Sequence, residues 1–82
     1  MGRKLTGRYY DYPLRIELET AAADAAAAFI KRTGEVPNII FVHPKRHTLD
    51  LISVNGFHIP VESDAMIHSP NILYVCQRKE IR

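Results

Sequence analysis

"LRIELETAAADAAAAFIKRTG", Leu14 to Gly34, decides how the chain is read. Its first six residues alternate strictly, with Leu14, Ile16 and Leu18 on one side and Arg15, Glu17 and Glu19 on the other. That period of two predicts a strand over 14–19 with one wet face. Thr20 then offers a side-chain oxygen as an N-cap, and Gly34 suits the left-handed position that ends a helix. Lys31 and Arg32 fall in the last turn, where the helix dipole favours cations. A helix over 21–33 follows, with an inward stripe of Ala22, Ala25, Ala26, Phe29 and Ile30. The alanines raise helix propensity and also permit close approach of the helix axis to its neighbour.

Downstream, "NIIFVH" (38–43) is apolar on both alternations and predicts a strand covered on both faces or central in a sheet. "TLDLISVNGFHIPVE" (48–62) is the clearest local signal: Asn55-Gly56 is the pair favoured by a type I′ turn, so two strands pair with Val54 opposite Phe57, Ile52 opposite Ile59 and Asp50 opposite Val61. Ile52, Val54, Phe57, Ile59 and Val61 then share the core face. Leu49, Leu51, Ser53, His58, Pro60 and Glu62 share the other. Pro60 lacks an N–H on the side away from its partner, which places that part of the strand at an edge. "SDAMIHSPN" (63–71) reads as a turn, and "ILYVCQR" (72–78) as a final apolar strand. The expected fold is α/β (α+β): one helix on a mixed sheet of about five strands in the order β-α-β-β-β-β, a two-layer sandwich. Residues 1–82 form a single domain, with 1–13 as an extended N-terminal arm.

The 82 residues are 46% apolar, carry eleven basic and nine acidic side chains, and contain one cysteine, Cys76. A chain of this size holds one modest core. A single thiol excludes an intramolecular disulfide and a cysteine-based zinc cluster, and fits a reducing, cytoplasmic setting. No apolar run is long enough for a spanning helix or a signal peptide. The positive charge is dispersed through four separated clusters, whereas nucleic-acid domains usually gather it on one face.

"HPKRH" (43–47) concentrates the polar chemistry. If strand, helix and strand form a crossover, this loop lies at the sheet end that also carries the helix N-terminus, a common place for an anion. His43, Lys45, Arg46 and His47 are therefore the candidate ligand-binding residues. Against this, no glycine-rich phosphate cradle accompanies them, and Glu19 or Asp24 at the same end can pair with Lys45 or Arg46. The spacing of His43 and His47 suits a metal only on a helix, and Pro44 opposes a helix beginning at His43, so no metal and no cofactor is expected. Two histidines beside two cations also match metal-free RNA cleavage, one ring as base and the other as acid. No motif of a known catalytic class supports that activity.

The leading expectation is a small cytosolic, non-catalytic interaction module that forms a homodimer or engages another protein. One helix covers one face of a sheet, and the second hairpin face is too apolar for ordinary surface. Leu49, Leu51, His58 and Pro60, with Tyr9 and Tyr10, are the candidate interface. The N-terminal "GRYYDYP" segment offers an alternative cover for it. The second expectation is nucleic-acid or phosphate binding through the 43–47 loop with Arg8, Arg78 and Lys79; the composition points to no membrane partner.

Overall fold

The computed structural model describes the backbone of residues 2–81 and the side chains of residues 6–78. One helix packs on a mixed five-stranded sheet. The elements are β1 (Gly2–Asp11), α1 (Leu18–Thr33), β2 (Ile39–Val42), a short 3-10 turn (Pro44–Arg46), β3 (Leu51–Val54), β4 (Phe57–Ser63) and β5 (Ile72–Ile81). Across the sheet the order is β1-β5-β2-β4-β3. β5 is antiparallel to both its neighbours and β2 is parallel to β4, so β1, β2 and β4 all run the same way.

The expected strand at 14–19 is absent, and the expected arm at 1–13 is the strand instead. Gly2 to Asp11 pairs residue for residue with Ile81 to Ile72. The chain then turns: the Ile16 N–H donates to the Pro13 carbonyl at 3.0 Å, and Leu14 is 58% exposed. The alternation of "LRIELE" has a different cause. Leu18 is already the first buried residue of the helix, followed by Ala21, Ala22, Ala25, Ala26 and Phe29 at helical spacing. A stretch of six residues spanning a turn and a helix start thus imitates a period of two. Thr20 lies inside the helix rather than at its cap, and Glu17 stands at the cap position without a side-chain bond. The far end matches expectation: Gly34 has φ 75° and its N–H bonds the Ile30 carbonyl at 2.8 Å.

The hairpin has the predicted register, with Val54 opposite Phe57, Ile52 opposite Ile59 and Leu51 opposite Pro60. Asn55 and Gly56 take φ 51° and 83°, the two left-handed positions of the expected turn. Parallel pairing of β4 with β2 begins at Val61, immediately after Pro60, so the missing N–H interrupts no ladder. The core lies between α1 and one face of the sheet: Ile40, Val42, Ile52, Val54, Ile59, Val61, Leu73 and Val75 meet the alanine stripe and Phe29. Four alanines without exposed surface allow the helix to settle directly on these branched side chains. Of the predicted core face, Phe57 at the hairpin tip stays 47% exposed.

Candidate functional site

β1 and β2 are parallel but not adjacent, since β5 lies between them. Their C-terminal ends nevertheless meet at one end of the sheet, and the 43–47 loop sits there beside the start of α1. Arg46 is the anchor. Its Nη1 donates to the carbonyls of Tyr12 and Pro70, both at 3.1 Å, and its Nη2 donates to those of Pro13 at 3.3 Å and Ile16 at 2.6 Å. The side chain is 6% exposed, and burial pulls its pKa below the ordinary arginine value. A guanidinium so engaged ties together the β1–α1 turn, its own loop and the β4–β5 connection.

The histidines of the loop also serve the backbone. His43 caps the 3-10 turn, its Nδ1 accepting the Lys45 N–H at 3.1 Å. His47 Nε2 lies 3.2 Å from the Val61 carbonyl and 3.0 Å from an Asp50 carboxylate oxygen, both acceptors, which puts a proton on that nitrogen. Lys45 remains directed to solvent. The cavity of about 450 Å³ beside it is also lined by Glu17 and Glu19, so two carboxylates face one unengaged cation there. Asp24, expected to pair with the loop, instead accepts the Tyr12 hydroxyl at 2.6 Å.

The helix-free face of the sheet has a different composition. Paired residues point to the same side, so the registers put Gly7, Tyr9 and Asp11 of β1 with Ile72, Tyr74, Cys76 and Arg78 of β5. Ile39 and Phe41 continue this face onto β2, and Glu62, Pro60, His58, Leu51 and Ser53 onto β4 and β3. Tyr9, Tyr74 and Phe41 form a row: the tyrosine rings are 4.5 Å apart at 37°, and Tyr74 and Phe41 lie 6.4 Å apart, stacked at 23°. The Arg78 guanidinium carbon sits 5.5 Å from the centre of the Phe41 ring. To reach it the side chain runs along the Ile39–Cys76 pair, and both of those residues are buried. Burial pushes the Cys76 thiol up, partly offset by the charge of Arg78, so the cysteine behaves as an apolar filler.

Of the six expected interface residues, Tyr9, Leu51, His58 and Pro60 lie on this face; Tyr9 is 69% and Leu51 53% exposed. Tyr10 and Leu49 do not, because both pack against the core on the helix side. Phe41, Tyr74, Gly7 and Arg78 complete the face, and only the strand registers bring them together. The expected nucleic-acid cations are dispersed: Arg78 on this face, Arg8 on the helix side, Lys45 at the sheet end and Arg46 buried. The Lys79 side chain lies outside the described residues. Among the described residues no helix is long and apolar enough to cross a membrane, and no three His, Cys, Asp or Glu side chains are grouped to hold a metal ion. No family model, curated protein or solved structure matches the chain.

Proposed function

We propose that this protein is a non-catalytic interaction module that self-associates through the helix-free face of its sheet. The observation that carries the reading is the row of Tyr9, Tyr74 and Phe41, continued by Pro60 and Leu51: the 64–71 connection reaches this face only at Tyr9 and Ile72, and Tyr9 and Leu51 stay 69% and 53% exposed. Two further features favour a second copy as the occupant. The segment that offered an alternative cover is the edge strand β1 and is paired in the sheet. The charges of the face are mixed, with Arg78 against Asp11 and Glu62, which suits a surface turned on itself by a two-fold axis and does not suit a polyanion.

Five strands about 4.8 Å apart, up to ten residues long at about 3.3 Å per residue, present several hundred Å². That is of the order of the roughly 800 Å² per partner in a standard interface. Face-to-face packing about 10 Å apart would turn the aromatic row into the core of a sandwich. The lone buried thiol is compatible with the cytosolic setting we assign.

Sedimentation equilibrium tests the proposal. The wild type is expected at twice the mass of the chain at high micromolar concentration, and Tyr9→Lys/Leu51→Lys is expected to be monomeric with its fold intact. A wild type that remains monomeric throughout that range would sink the proposal. A shift in mass only on adding an oligonucleotide at low salt would transfer the face to nucleic-acid stacking.

A further inference from the structure

On the opposite side of the sheet, β1 and the last turns of α1 enclose a groove of about 410 Å³ lined by Arg8, Tyr10, Ala28, Lys31 and Arg32. Arg8 stands opposite Val75, whose side chain is in the helix-side core, so its guanidinium projects toward α1. Lys31 and Arg32 approach from the helix. Within the described residues none of these three cations has a carboxylate in ion-pair range. Tyr10 supplies the wall. Its ring packs against the core, while its hydroxyl is buried and has no hydrogen-bond partner.

Electrostatics decide the sign of the ligand. The carbonyl end of α1 contributes about half a negative charge, against the three positive charges of Arg8, Lys31 and Arg32. The surplus favours an anion carrying more than one charge. Two guanidinium forks match phosphoryl oxygens in a way that two lysines do not. The Tyr10 ring and Ala28 add an apolar floor, and the volume is that of a small-molecule site.

We propose that this groove binds the diphosphate group of a small organic phosphate. Arg8, Lys31 and Arg32 hold the phosphoryl oxygens, and the Tyr10 ring lines the wall beside them. The site is separate from the face assigned to self-association and stands or falls independently of it.

Isothermal titration of the full chain with inorganic diphosphate, at fixed low ionic strength in a chloride buffer, tests it. Binding is expected to weaken at least tenfold in Arg8→Ala/Lys31→Ala/Arg32→Ala and to be unchanged in Lys45→Ala. All three triple-variant positions are solvent-facing, and circular dichroism melting checks that the fold is kept. A nucleoside diphosphate is expected to bind more tightly than the inorganic ion, through the apolar floor. Equal affinity in the triple variant, no wild-type binding, or preference for a single-stranded oligonucleotide at equal phosphate concentration would each overturn the assignment.

Discussion

Tyr74 lies across Gly7, its ring occupying the space a side chain there would need. β1 is an edge strand, and a glycine in its interior weakens pairing unless a neighbour covers the exposed backbone. The ring supplies that cover, and its position over Gly7 also sets it beside Tyr9 and Phe41. Gly7→Ala is therefore expected to cost about 1–3 kcal/mol, because Tyr74 must leave its rotamer. The same change should weaken self-association by dispersing the aromatic row. Urea unfolding and sedimentation on one preparation measure both, and a variant as stable as wild type would show that the ring moves without cost.

Arg46 is expected to be the costliest single position outside the apolar core. Arg46→Met keeps the stem and removes the fork, leaving carbonyls from two connections without donors; the expected loss is about 2–4 kcal/mol. Arg46→Lys should recover less than half of it, since one ammonium cannot reach all four carbonyls. Chemical denaturation of the two variants checks the order. Equal stability of wild type and Arg46→Met would mean that solvent replaces the clasp.

Stability is expected to fall in alkaline solution. Burial, with the hydrogen bond to Asp24 and its charge, raises the pKa of Tyr12 above the ordinary 10.0; burial likewise raises Tyr74 from 10.0 and Cys76 from 9.0. The unfolded chain ionises at the ordinary values while the folded chain holds its protons. Above about pH 9 the unfolded state therefore binds fewer protons, and the stability gradient with pH is negative. Below that pH these three groups contribute in full. Tyr12→Phe should make the fall above pH 10 shallower, as read by melting temperature across pH 7–11. Parallel curves for the two proteins would remove Tyr12 from the explanation.

At the hairpin tip, Gly56 holds φ 83° with open space around its α-carbon, so a substitution there tests conformation without a clash. Gly56→Ala should cost about 1 kcal/mol. Asn55→Ala should cost less, because φ 51° lies in the small left-handed region that other residues reach with modest strain. Thermal unfolding ranks the two, and the reverse order would show that the Asn55 side chain contributes beyond its backbone.

Features of the chain determined within a few residues were readable from those residues. The Asn55-Gly56 turn, its register, the Gly34 helix end and the two-sided apolar character of Ile39–Val42 all belong to this kind. The strand over Gly2–Asp11 does not. "GRKLTGRYYD" has little alternation of its own and becomes a strand through ten pairings with the far end of the chain. The candidate site divides the same way. Tyr9, Leu51, His58 and Pro60 were visible as an apolar surplus, whereas Phe41 and Tyr74 join them only through the β2–β5 and β1–β5 registers. Arg46 shows the opposite failure: a residue type suited to ligands is engaged by carbonyls drawn from two distant connections.

The place of β5 between β1 and β2 has a consequence for how the protein is made. The hairpin and β2 can assemble as soon as residues 39–63 have left the ribosome, but β1 has no neighbour in the sheet except β5. β1 therefore waits unpaired for β5, and inserting β5 zips both its edges at once. Closure of the long loop between β1 and β5 must precede any reward from those contacts, which slows folding and makes the step cooperative. Until then β2 presents an unpaired apolar edge, the kind of surface that makes a partly folded chain prone to association.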